Sequence, residues 1–301
     1  MSELIRAVLL MLCSGAALLT LACGAAAAEE PVDSREINFR LLDAARAGDA
    51  VAIERLVREG ASVKTRNRTG TTPLILAARG GHTAAARELL AAGAEVDHTN
   101  LEETTALLAA SAGGYVETAA LLLDSGANVD HVDQRLLSPL MHAVFGGHTE
   151  LVKLLLTQGA NVGLVDRTGK SALVYAAASG HEAILELILA RDVDVNQRFQ
   201  NDLTALMWAA GYGHVDAIAA LLAAGAQPNA QDNRGMTALM IASGQGHAAT
   251  VKKLLEGGAD RSLTDRDGKT ARDHALAGGH GAVVDLLTAT ESRRSASVDT
   301  R

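Results

Sequence analysis

A chain of 301 residues has room for one or two ordinary domains, yet 48% of it is hydrophobic while only 2% is aromatic. Its apolar mass is Ala, Leu and Val, small side chains that suit closely stacked helices better than one thick core. A formal charge of -8 argues against a general nucleic-acid binder, which needs a basic surface to neutralise phosphates.

The chain begins with MSELIR, runs through the apolar stretch AVLLMLCSGAALLTLA and reaches a polar boundary after CGAAAAEE. A short charged start, an apolar run and small residues before a boundary form the pattern of a secretory signal peptide, so residues 1–28 are expected to direct export. Two processing sites compete. Ala26-Ala27-Ala28 supplies the small residues for cleavage after Ala28, whereas Leu19-Thr20-Leu21-Ala22-Cys23 resembles a loose bacterial lipobox that would leave Cys23 lipidated and the protein membrane-anchored. Cys13 and Cys23 are the two cysteines of the sequence, so a chain cut at Ala28 carries no thiol for disulfides, metal binding or nucleophilic attack. Residues 29–35 read as a linker, and no later apolar run approaches the ~20 residues that span a bilayer.

From there the chain repeats itself. TTPLILAARGGH at 71–82 returns as TTALLAASAGGY at 104–115, SPLMHAVFGGH at 138–148 and SALVYAAASGH at 171–181. TALMWAAGYGH at 204–214, TALMIASGQGH at 237–247 and TARDHALAGGH at 270–280 continue the series. The residue closing each unit falls at Gly60, Gly93, Gly126, Gly159, Asp192, Gly225 and Gly258, a step of 33 residues every time. A fixed period of this length means stacked supersecondary units. Within one unit, an Asp/Asn/Gly turn such as 166–169 leads to a Ser or Thr that caps a first helix, with Pro73 or Pro139 at the first helical position. Gly-His breaks that helix, and a second one with Leu at helical spacing, for example Leu151, Leu154 and Leu155, ends at a glycine suited to the left-handed conformation.

The TPLH-like words, the Gly-His, the LLxxGA ending and the period resemble ankyrin repeats over residues 36–290, in about eight units. The resemblance implies an all-α solenoid of helix-turn-helix units joined by β-turn or hairpin loops. The first unit lacks a recognisable opening turn, and the last, with Arg272 and Asp273, is expected to be a polar cap. Where the family has histidine in TPLH, this chain has Ile75, Leu108, Met141, Val174, Met207 and Met240, so apolar packing should replace a hydrogen bond. Glu103, Leu136 and Asp202 stand where other units keep the turn glycine, which predicts distorted turns in units three, four and six. Asp192-Val193 in place of Gly-Ala predicts local softness. The tail 291–301 is small and polar and reads as disordered.

Six histidines, His82, His148, His181, His214, His247 and His280, hold the same place in their units. Their spacing follows the scaffold, where a ring nitrogen near a helix end satisfies a backbone group, and not a metal array. His142 and His274 lie elsewhere and have no evident partner in the sequence. No phosphate loop, nucleophile elbow or metal motif can be defended, so the expectation is a protein without catalytic residues, metal or cofactor.

Five of the seven aromatic residues, Phe145, Tyr175, Phe199, Trp208 and Tyr212, gather in units four to six. In ankyrin proteins the first helices and turn tips line the concave side where partners bind. Carried onto this chain, the resemblance makes these five a partner-binding patch, with Gln134, Arg135, Leu137, Gln200 and Asn201 as its rim. The resulting expectation is a monomeric, non-enzymatic scaffold of the bacterial envelope, most simply periplasmic, that binds a protein and neither nucleic acid nor membrane. The alternatives are a Cys23-lipidated envelope scaffold and a secreted effector or inhibitor acting on a host protein.

Overall fold

The computed structural model describes residues 34–288, so the signal segment, residues 29–33 of the linker and the tail 291–301 lie outside the described residues. Helix α1 (Ser34–Ala47) pairs with α2 (Ala50–Arg58), α3 (Pro73–Arg79) with α4 (Thr83–Ala91), and α5 (Ala106–Gly113) with α6 (Val116–Asp124). The series continues with α7 (Pro139–Phe145) and α8 (Thr149–Thr157), then α9 (Ala172–Ser179) and α10 (Glu182–Leu189). It ends with α11 (Ala205–Tyr212) and α12 (Val215–Ala223), α13 (Ala238–Gly244) and α14 (Ala248–Glu256), then α15 (Ala271–Ala277) and a further helical stretch at 281–288. The architecture is the expected all-α repeat solenoid. Extended pairing among the described residues is confined to an isolated bridge between Val165 and Ser171.

Each unit is built by local rules. Thr72, Thr105, Ser138, Thr204, Thr237 and Thr270 adopt extended conformation, and each accepts the backbone N–H three residues on. Such caps are worth about 1 kcal/mol apiece, because they satisfy donors that the helix itself cannot. Ser171 occupies the same place without that bond, and its Oγ is buried without a partner. In the last unit Asp273 completes a capping box, accepting from both the N–H and the hydroxyl of Thr270, which explains an acid where other units are apolar. The residues replacing the family histidine, Ile75, Leu108, Met141, Val174, Met207 and Met240, are all at most 2% exposed, so apolar packing does take over there. Truncating one such side chain to Ala typically costs 2–5 kcal/mol.

The periodic histidines hold one unit to the next. Nε2 of His82, His214, His247 and His280 meets the carbonyl oxygens of Arg46, Ala178, Gly211 and Gly244 at 2.9 to 3.1 Å, each 36 residues earlier. Facing a carbonyl, that nitrogen carries the proton. The preceding glycine makes this approach feasible: a Cβ on Gly213, at φ 77, would lie 2.8 Å from the His247 ring. A second set of links runs along the turn tips, where the N–H of Leu101, Gln134, Arg167, Asn233 and Arg266 donates to the carbonyl of Thr69, Glu102, Arg135, Asn201 and Arg234 in the unit before.

Two expectations need correction, and the Asp192 site shows a local rearrangement. The turns of units three and four are not distorted: Glu103 and Leu136 adopt φ of 58° and 62° and close the same backbone bond, to Asn100 and Asp133, that Gly169 closes to Asp166. The departure is in unit six, where Asn201 and Asp202 are both left-handed and Gln200–Asp202 forms a short 3-10 turn. Its cause lies upstream, at Phe199. In the other turns Asn67, Asn100, Asp133, Asp166, Asp232 or Asp265 accepts the N–H groups two and four residues on, and a phenyl ring cannot. At Asp192 the change is a rearranged helix end: Val193 donates to Arg191, whereas Ala160 in the neighbouring unit reaches back to Leu155. Lastly, α1 starts at Ser34, inside the stretch read as linker.

Two stability predictions follow from these contacts. Leu136→Gly should raise stability by about 1 kcal/mol, since a left-handed leucine is strained and the side chain is 42% exposed. His214→Ala should lower it by roughly 1–2 kcal/mol through loss of the bond to the Ala178 carbonyl. Urea unfolding followed by circular dichroism measures both; a destabilised Leu136→Gly or an unchanged His214→Ala would contradict them.

Candidate partner-binding surface

First helices pack more extensively on one another than second helices do, and together they form one side of the stack. One position on that side, two residues after the leucine of each opening word, carries Leu76, Ala109, His142, Tyr175, Trp208, Ile241 and His274. The turn Asp or Asn stands nine residues earlier, except in unit six, where Phe199 takes that place before Trp208. His142 Nε2 therefore meets Asp133 Oδ2 at 3.0 Å, the Tyr175 hydroxyl donates to Asp166 Oδ2 at 2.6 Å, and His274 Nε2 meets Asp265 Oδ2 at 2.8 Å. One carboxylate oxygen closes the turn while the other holds the side chain on the inner face. The partners missing from the sequence reading of His142 and His274 are these aspartates.

Burial and these bonds set the charges. Burial works to raise Asp166, but hydrogen bonds from the Tyr175 hydroxyl, Lys170 and Thr168 outweigh it and hold the carboxyl below its ordinary range. Tyr175 is pushed upward by burial and by Asp166, so it remains a protonated donor. Burial lowers His142 against the opposing pull of Asp133, which leaves the ring neutral near pH 7.

The aromatic residues divide into two kinds. Phe145 and Tyr212 are 68% and 57% exposed, whereas Phe199 is 8% exposed and belongs to the core, not to an accessible patch. Tyr175 and Trp208 are half-buried and pack against the core from the same side. Phe145 meets Tyr175 edge-on with ring centroids 6.0 Å apart. Trp208 stacks on Tyr212 at 6.3 Å, Tyr212 on His214 at 6.2 Å, and Lys170 Nζ lies 4.7 Å from the Trp208 ring. The Trp208 Nε1 proton is buried without an acceptor. The structure thus gathers four of the five rings into two contacting pairs, one exposed member in each.

Around them, Gln134, Arg135, Gln200 and Asn201 are exposed at turn tips, and Leu137 is half-buried against the core. Gln134 is anchored, its Nε2 donating to the Leu101 carbonyl at 2.6 Å. Sequence reasoning missed Leu101 and Leu136, 69% and 42% exposed at neighbouring tips. It also missed a recess of about 510 Å³ lined by Arg79, Glu102, Ala109, Ala112, Arg135 and His142 among others. Unit three places alanine at both inward positions, where unit two has Leu76 and Arg79 and unit four has His142 and Phe145, so a notch opens between taller neighbours. No group of three or more His, Cys, Asp or Glu able to hold a metal occurs among the described residues. Likewise, no described helix is long and apolar enough to cross a membrane.

The His142 environment predicts a pH dependence. Its folded pKa lies below the ordinary 6.5, so beneath that value the unfolded chain takes up a proton that the native ring refuses. Stability is lost as pH falls through 6.5 toward the folded value. His142→Gln keeps a donor for Asp133 but not the titration, so unfolding at about pH 7.5 and about pH 5.5 should differ less than in the wild type. Equal loss in both proteins would remove His142 as the cause.

Three copies of a family model described as ankyrin repeats match residues 41–133, 130–199 and 206–299. No curated protein matches the chain significantly. The matched segments cover most of the sequence and coincide with the helix pairs described above, and ankyrin repeats are a protein–protein interaction module. The chain belongs to the ankyrin-repeat family.

Proposed function

We propose that this protein is a non-enzymatic adaptor that binds a protein partner through the first-helix face of units four to six. The observation that carries the reading is the pair of large exposed rings, Phe145 and Tyr212, each braced by a half-buried aromatic neighbour. Rings held in place lose little freedom on docking and bring large apolar area, which is why aromatic residues anchor interfaces. The notch over Ala109 and Ala112 adds a place for one inserted side chain beside them.

The sequence before Glu29 supports a location in the bacterial envelope, with a soluble periplasmic form after cleavage at Ala28. The lipobox-like Leu19–Cys23 stretch favours a second reading, in which an acylated Cys23 holds the same scaffold at the membrane. Intact mass of the mature chain separates the two, and Cys23→Ser abolishes lipid labelling only in the second.

Phe145→Ala combined with Tyr212→Ala is the direct test, because both side chains are exposed and their loss leaves the core intact. Affinity capture from the envelope fraction should retain a partner with the native protein and lose it, by about tenfold or more, with the variant. Helical circular dichroism should be unchanged. Equal recovery by two folded proteins would exclude the aromatic face as the contact.

A further inference from the structure

A second surface lies at the other end of the described chain. α1 spans Ser34–Ala47, 14 residues, where the first helices of the later units have seven or eight. Its additional turns occupy the place that a β-turn holds in every other unit, and they lie beside the turn 65–69. Between them runs a groove of about 640 Å³. Arg35 and Arg46 line it from α1, Arg66 and Arg68 from the turn, and Phe39 and Leu42 form its apolar part. Among the described residues no Asp or Glu lines it, in a chain whose formal charge is -8.

The positive charge there is only partly compensated. Arg46 pairs with Asp43 at 2.6 Å, both side chains remaining largely exposed. Glu95, whose carboxylate also feels the charge of Arg66, is held by Lys64 at 2.7 Å. Arg66 and Arg68 are exposed and make no ion pair within 4.0 Å among the described residues. Phe39 stands 64% exposed in the same groove. A ring beside guanidinium groups fits a ligand that alternates carboxylates with an apolar side chain, since arginine takes carboxylates through paired N–H donors.

We infer that this groove binds an acidic, extended segment of a partner protein, its carboxylates on Arg66 and Arg68 and an apolar side chain on Phe39. Charge complementarity sets the choice of ligand. A nucleic acid would need several stacking rings and a basic field extending beyond the groove, and this groove has one ring on an acidic protein. The site is separate from the aromatic face of units four to six and does not depend on it.

The test uses the full chain and a fluorescent peptide of about ten residues built from Glu-Glu-Leu repeats, with its Lys-Lys-Leu counterpart and an oligothymidylate of similar length as controls. Anisotropy should show binding of the acidic peptide alone, weakening with added salt. Arg66→Glu with Arg68→Glu should reduce that affinity about tenfold or more, because like charges now face the ligand. Arg66→Gln with Arg68→Gln serves if the reversal fails to fold, and circular dichroism decides that point. The Phe145→Ala, Tyr212→Ala variant should bind the peptide normally, so failure of either surface is seen independently of the other. Unchanged peptide affinity in the folded arginine variants, or oligothymidylate binding as tight as that of the acidic peptide, would overturn the inference.

Discussion

No helix pair in this protein can bury its apolar face by itself, so the stacking of one unit on the next is the interaction on which every other feature rests. Each first helix presents leucine and alanine on more than one side, and the small residues let neighbouring backbones come close enough to exclude water. The Gly-His step shows how close: a glycine in the left-handed region makes room for the imidazole of the next unit, whose Nε2 then meets a carbonyl left over at a helix end. Because such contacts link only adjacent units, the stack is uniform along its length wherever the sequence stays regular. Its irregularities are correspondingly local, as at Phe199 and Asp192.

The turn aspartates couple this scaffold to its surface. A single carboxylate closes the turn by accepting two backbone N–H groups and, where the sequence provides a donor nine residues on, fixes the side chain that faces a partner. His142 and Tyr175 are therefore held in defined orientations by the same groups that shape their turns. Phe199 breaks the arrangement in unit six: the turn is reshaped, the phenyl ring fills the core, and Trp208 is left without a carboxylate beneath it. Its inner-face place is secured by rings and by the Lys170 ammonium instead.

Much of the fold was legible because its signals are local. The 33-residue step, the Thr or Ser caps and the glycines after the second helices each act within a few residues, so reading them needs no knowledge of the neighbours. The candidate surface was legible only in part. Clustering of the aromatics showed in the sequence, but Phe145 and Phe199 look alike there, and only their neighbours decide that one is exposed and the other buried. The bonds of His142 and His274 did leave a signal, an Asp nine residues upstream that recurs with the period. The recess left another, alanine at both inward positions of unit three. The groove beside α1 left none, since the first unit departs from the pattern by which the others are read.

By itself the sequence determined the architecture, the order of units and the places where the helices of the regular units start and stop, because those depend on backbone propensities and on a hydrophobic period repeated seven times over. Only the tertiary structure decided which turns kept their shape without glycine, which rings reach solvent and where the charge gathers. Those properties belong to pairs of units and not to single ones. A left-handed Leu136 is tolerated because the packed turn holds it, and an arginine groove exists because one longer helix was laid against the next unit's turn.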